Sequence, residues 1–192
     1  QTSLAKGPLG RRNFLVSGTA VAGGLSLGFS FPFASANAAT VQELNAWVVI
    51  QPDDKVVIRI ARSEMGQGTL TGLAQLVAEE LECDWSKVTT EYPTPGENLK
   101  RNRVWRNYST GGSRGIRESN EYVRQGGAMA REMLIAAAAA EWKVPAAECK
   151  AANSKVTHSS GKSATYGHLA AAAAKLEPPK EVKLKEIGRA HV

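Results

Sequence analysis

Two stretches of this chain hold residue types and spacings that could cradle a ligand. In Glu64-Met65-Gly66-Gln67-Gly68-Thr69, two glycines flank one glutamine. Gly66 and Gly68 carry no Cβ, so the backbone there can take positive φ and come close to a ligand. Gln67 offers amide donors and an acceptor, and Thr69 is of a type that caps helices. In Asn107-Tyr108-Ser109-Thr110-Gly111-Gly112-Ser113-Arg114, the side chains are mostly small and polar. Ser109, Thr110 and Ser113 supply hydroxyls, Gly111 and Gly112 expose backbone N–H groups, and Arg114 adds a cation suited to phosphate. Taken singly, each stretch also reads as plain helix punctuation, with Ser113 an ordinary N-cap.

The flanking elements decide whether such turns can work. Val56-Val57-Ile58-Arg59-Ile60 is a β-branched run and predicts a buried strand; Leu70, Leu73, Leu76, Val77 and Leu81 recur at helical spacing. The first turn therefore joins a strand to a helix over about residues 69–82, whose first N–H groups favour an anion in the turn. Glu64 is read as facing away from it. Residues 44–50 and 55–62 form a hairpin across Gln51-Pro52-Asp53-Asp54, residues 88–92 a third strand, and 93–103 a loop. The second turn is expected to open directly into a long helix over about 116–143. Ser159-Ser160-Gly161 then separates two strands of a hairpin, followed by an alanine-rich helix to about residue 175. The fold class is α+β (mixed α/β), strands packed against long helices.

Composition narrows the function. The 192 residues are 43% hydrophobic and 22% charged, enough for a core and too apolar for disorder. Lys6, Arg11 and Arg12 account for half of the net charge of +6, with no acid before Glu43. The basic balance is thus largely a property of the first residues and no pointer to nucleic acid. Cys83 and Cys149 are too few to hold an iron–sulfur cluster or build a zinc site. They read as buried free thiols, with a disulfide the alternative in an oxidising compartment. His158 and His168 read as surface histidines, so no metal site is expected.

Arg11-Arg12-Asn13-Phe14-Leu15 precedes an uncharged, glycine-rich apolar run that ends in Ala34-Ser35-Ala36-Asn37-Ala38-Ala39. A basic start, an apolar middle and an Ala-x-Ala end predict a signal peptide over residues 1–39, and the paired arginines specify the twin-arginine route to the periplasm. Retention as a membrane anchor is the alternative. Pro178-Pro179 begins an extended linker over 178–192, of which 186–192 read as an artefactual tail.

The Glu64-Met65-Gly66-Gln67-Gly68 motif, the Ser109-Thr110-Gly111-Gly112-Ser113-Arg114 motif and their order behind this leader resemble the xanthine dehydrogenase and aldehyde oxidase family. The likeness is to the large subunits of the exported branch, of the isoquinoline 1-oxidoreductase and aldehyde dehydrogenase type, and covers about residues 44–175. It implies that residues 40–177 are the N-terminal part of a molybdopterin-binding domain. Gly66, Gln67, Gly68 and Thr69 would contact the pterin near the metal, and Ser109, Thr110, Gly111, Gly112, Ser113 and Arg114 would hold the pterin or its dinucleotide phosphates. It further implies oxidation of aldehydes or N-heterocycles with oxygen from water and a glutamate as general base. Electrons would leave through [2Fe–2S] clusters on a small iron–sulfur subunit, with a membrane cytochrome c as acceptor. No glutamate here matches the general base, so the chain alone is expected to be inactive. The rival reading is a non-enzymatic exported α+β module whose glycine turns are structural.

Overall fold

The structure is a computed structural model that describes residues 42–186. The expected leader over 1–39 and residues 187–192 of the expected tail lie outside the described residues. Val48, Ile50, Val56 and Ile58 are fully buried because their strands pair and then face a helical layer. Strands β1 (Gln42–Glu43), β2 (Val48–Ile50) and β3 (Val56–Arg59) are antiparallel neighbours. Helix α1 (Thr69–Leu81) crosses over to β4 (Val88–Glu91), which pairs in parallel with β3, Val56 opposite Val88. This is a strand–helix–strand unit, and the first turn sits at its strand-to-helix corner.

Of the predicted first strand over 44–50 only Val48–Ile50 is strand, and β1 before it turns back as its antiparallel partner. Asn45 breaks the run: its side-chain carbonyl accepts from the backbone N–H of Trp47 and Val48 at 2.9 and 3.0 Å, and its amide donates to the Gly126 carbonyl. Asparagine thereby supplies a turn where hydrophobicity alone suggested a continuous strand. Residues 93–103 are not a plain loop either. Thr94 and Glu97 form a reciprocal capping box that starts α2 (Pro95–Lys100).

Helix α3 (Asn120–Trp142) lies across α1. Its small residues set the approach: a Cβ at Gly127 would come 2.5 Å from the Val77 carbonyl, and one at Gly126 would meet Trp47 at 2.9 Å. Trp47 in turn stacks on Tyr122, with ring centroids 5.0 Å apart. Beyond α3, β5 (Cys149–Ala152), β6 (Lys155–His158) and β7 (Ser163–Thr165) form a separate antiparallel sheet, and α4 (Tyr166–Ala173) closes the core. The β6–β7 hairpin follows the sequence expectation; β5 alternates in burial, but its Cys-Lys-Ala-Ala sequence has no β-branched or aromatic residue to reveal it.

Residues 178–186 lack helix or strand yet are tied down. Glu80, 1% exposed, accepts from Arg124 Nε at 2.8 Å and from the Lys185 backbone at 3.2 Å, and Arg124 also donates to the Lys185 carbonyl. Among the described residues no helix is long and apolar enough to cross a membrane.

The packing makes Gly127 a test of the α1–α3 contact. Alanine there would gain about 1 kcal/mol of helix propensity, yet must push two backbones apart. Gly127→Ala is expected to lower stability by about 2 kcal/mol in urea unfolding; an unchanged midpoint would show that the helices do not pack this closely.

Candidate functional site

The chain leaves β3 through Ile60, whose N–H donates to the Glu91 carbonyl at 2.9 Å, and reaches Arg62 still inside the fold. Arg62 is 2% exposed. Its Nε donates to Ser119 Oγ at 2.9 Å, and its Nη1 donates to the Asn107 carbonyl at 3.0 Å, to Asn107 Oδ1 at 2.9 Å and to the Ser109 carbonyl. One guanidinium thus holds three positions of the second turn region. Ser119 spends its whole hydroxyl here: it also accepts from Tyr122 Oη at 2.5 Å and donates to the Arg114 carbonyl at 3.0 Å.

The two turns meet directly as well. The Ser63 N–H donates to Thr110 Oγ1 at 3.1 Å. Thr69, 3% exposed, packs against buried Gly115, where an added Cβ would fall 2.7 Å from Thr69 Oγ1. Stretches more than forty residues apart in sequence therefore lie side by side. Upstream, the second turn is steadied by Asn98, which accepts from the Trp105 N–H at 3.0 Å and donates to the Arg106 carbonyl at 2.8 Å. The Arg106 guanidinium lies 4.8 Å over the Tyr122 ring.

The first turn differs from the expected open cradle in two respects. Gly68, at φ +79°, is the N-cap of α1, and Thr69 makes no side-chain cap. The capping acceptor is Glu64, which does not face away: Oε1 accepts from the N–H groups of Gly66 and Gly68 at 2.6 and 3.0 Å, and Oε2 from Leu70 at 3.0 Å. The anion that the helix start favours is a carboxylate six residues upstream. Gln67 is also engaged within the turn. Its Oε1 accepts from the Met65 N–H at 2.6 Å, and its Nε2 donates to the Ser63 carbonyl and to Thr69 Oγ1, both at 2.9 Å.

The second turn is open. Gly111, Gly112, Ser113 and Arg114 are exposed, and a Cβ at either glycine would meet nothing within 4 Å. Gly112 and Ser113 take left-handed φ of +68° and +61°, a tight turn of the kind in which backbone N–H groups can gather toward an anion. Arg114 donates to Ser109 Oγ at 3.1 Å and pairs with Glu118 at 3.4 Å. The turn does not open directly into α3, however. Residues 114–119 intervene, the helix begins at Asn120, and its N-cap is Ser119 rather than Ser113. The backbone nest, not a helix dipole, is what this turn offers an anion.

Other candidate groups are accounted for locally. Cys83 and Cys149 are free thiols; burial pushes Cys83 up to about 12, so it is no thiolate. His158 Nε2 meets Glu148 at 2.9 Å and His168 Nε2 meets Glu141 at 3.2 Å, so each histidine has the acidic partner that sequence did not supply. Among the described residues no three His, Cys, Asp or Glu side chains come together as a metal site. A cleft of about 1060 Å³ lies behind α1, lined by Leu76, Cys83, Trp85 and Ile116 among others; none of the ten residues of the two turns lines it.

The described residues thus form a mixed α/β unit in which two glycine turns adjoin, the second of them open to solvent. The family comparison gives its class: the molybdopterin cofactor-binding domain matches residues 12–191, and the chain belongs to that family. It is 34% identical over 171 residues to isoquinoline 1-oxidoreductase subunit beta of Brevundimonas diminuta, covering 85% of this chain and 22% of that protein. It is 31% identical over 172 residues to the membrane-bound aldehyde dehydrogenase [pyrroloquinoline-quinone] of Gluconacetobacter polyoxogenes, covering 85% and 21%. The fold matches the crystal structure of quinoline 2-oxidoreductase from Pseudomonas putida 86 at a TM-score of 0.50 and 21% identity, over 69% of this chain and 17% of that one. The chain thus spans about a fifth of the relatives it matches.

Glu64 gives the first turn a pH dependence. Its carboxyl is held below its ordinary value of 4.5, first by the Leu70 N–H and then by Gly68, against a small burial effect. A depressed folded value means that the cap is fully present above pH 4.5 and fades as pH falls through the folded value. Hydrogen-exchange protection at Gly68 and Leu70 is expected to drop on acidification while core strand amides hold. Glu64→Gln should remove the pH dependence, and protection independent of pH in the unaltered chain would contradict the cap.

Proposed function

We propose that this chain forms the first part of the molybdopterin-binding domain in a molybdenum hydroxylase large subunit acting on aldehydes or N-heterocycles. The observation that carries the reading is the open nest of residues 109–114 held against the first turn, in a chain of the molybdopterin family. The fit is uneven, and the unevenness is informative. Ser109, Thr110, Gly111, Gly112, Ser113 and Arg114 offer exposed hydroxyls, N–H groups and a cation, which suits the phosphate of a pterin or its dinucleotide form. At the first turn the N–H groups of Gly66 and Gly68 are taken by Glu64, so this turn is no phosphate cradle. Gln67 would reach a pterin only by giving up bonds within the turn, with Thr69 beneath it as the released partner.

When bound, the cofactor supplies the two-electron redox chemistry that hydroxylation with water requires. This chain's part is to bind and orient it. Gly112 and Ser113 fix the nest, Arg114 supplies charge, and Arg62 and Ser119 hold both to the sheet corner. The names of the relatives support a heterocyclic or aldehyde substrate, and a subunit called beta supports an assembly in which a separate iron–sulfur subunit takes the electrons. A cytochrome c would follow as acceptor. Residues 1–39 act as a twin-arginine leader that delivers the domain to the periplasm, residues 40–177 are the domain portion and 178–192 its linker. No glutamate among the 192 residues matches the family's general base. Turnover therefore belongs to an assembly that contains the remainder of such a subunit, and the isolated chain holds molybdenum well below one equivalent.

The test is titration of molybdopterin into the isotopically labelled chain. Amide resonances of residues 109–114 are expected to shift with weak affinity. Gly112→Val cannot keep φ near +68° without strain and should weaken binding by roughly tenfold. Shifts confined to other regions would remove the cofactor role, and a full equivalent of molybdenum on the purified chain would remove the claim that the portion is insufficient. If pterin leaves the nest unperturbed, the turns are punctuation and the structural-module reading stands.

A further inference from the structure

We propose that Arg62 is a positioning residue whose guanidinium fixes the entry and exit of the second turn against the first, so that a ligand bridging the turns is held in register only while this fork is intact. The inference rests on the cofactor reading for its biological use, but its geometry does not.

The buried cation makes four hydrogen bonds, all to neutral acceptors, and among the described residues no carboxylate pairs with it. A buried guanidinium satisfied by two backbone carbonyls, a side-chain amide and a hydroxyl is held by geometry rather than by ion pairing. Its donors are divided. Nε faces Ser119, just before α3, while Nη1 faces Asn107 and Ser109, at the entry to the nest. Both ends of the exposed 107–119 segment are therefore fastened to one planar group at the end of the β3 strand.

Packing of Thr69 on Gly115 and of Ile116 on Gly72 also holds the segment to α1, but only C-terminal to residue 114, beyond the nest. The direct contact from the Ser63 N–H to Thr110 Oγ1 is exposed, where water competes for both partners. The nest itself carries no apolar side chain: Gly111, Gly112, Ser113 and Arg114 are all exposed. Asn98, Trp105 and Tyr108 secure the chain only up to the nest. Lysine at position 62 would keep the charge but offers one nitrogen, which cannot span Ser119 and Ser109 together.

The experiment needs no cofactor. Nitroxide labels at Met65→Cys and Gly111→Cys, in the full chain with Cys83→Ala and Cys149→Ala, report the separation of the turns by pulsed dipolar spectroscopy. A control pair at Gln75→Cys and Lys150→Cys reports α1 against the second sheet. With Arg62 present, the turn pair is expected to give one narrow distance distribution. Arg62→Lys should broaden it and add a longer population while the control pair is unchanged, and methylguanidinium added to Arg62→Ala should restore the narrow distribution. Ser119→Ala, which removes one acceptor and keeps the guanidinium, should broaden it partway and serves if the Arg62 variants fail to fold. A narrow distribution in Arg62→Lys would overturn the proposal, as would equal broadening of the control pair, which marks a general folding role. Failure of pterin to bind with the coupling intact would instead remove the cofactor reading and leave this one standing.

Discussion

The placement of a single buried guanidinium constrains the functional face of this molecule. Removing Arg62 from water is costly unless every donor finds an acceptor. The fold meets that demand at Nε and Nη1 by bringing Asn107, Ser109 and Ser119 to the end of β3. The requirement runs both ways: the Asn107 and Ser109 carbonyls gain a donor in a region without regular secondary structure, where backbone groups otherwise rely on water. A charge at the strand end thus specifies the path of a segment some fifty residues later.

Around that tie the two turns have become different objects. The first is closed on itself. Glu64 satisfies three N–H groups, and Gln67 bridges Met65, Ser63 and Thr69. Its shape is therefore set before any ligand arrives, which lowers the ordering cost of binding. The second has a fixed base and a free rim, with Arg62 beneath and Gly111 and Gly112 in open space. Rigid support under an adaptable edge is the arrangement in which a backbone nest can fit an anion without losing register.

What was legible in the sequence follows the range of the interactions. Helix α1 and the hairpin at Pro52 declare themselves through periodicity and turn chemistry over a few residues; the structure keeps the helix within a residue and the hairpin turn, while both hairpin strands are shorter than expected. The resemblance carried by the two motifs located the family, which the domain match shows. What was not legible depends on choices among equivalent local options. Glu64 could point outward or cap the helix it precedes, and only the backbone path decides. Ser113 is a good N-cap by type, yet the helix starts after Ser119, whose hydroxyl does not cap it but is committed to Arg62, Tyr122 and the Arg114 carbonyl. Arg62 itself sits in full view beside the first motif, but nothing in its neighbours reveals that its partners are Asn107, Ser109 and Ser119.

The charge arrangement then decides which turn can take an anion. A helix N-terminus carries roughly half a positive charge in its free N–H groups, and the Glu64 carboxylate more than offsets it. A phosphate brought to the first turn would meet a fixed negative charge and occupied donors. At the second turn it would meet Arg114 and exposed N–H groups. On the proposed reading, the carboxylate that completes the fold of the first turn directs the anionic end of a bridging ligand to the second, with the two oxygens of Glu64 as the exclusion and Arg114 as the attraction.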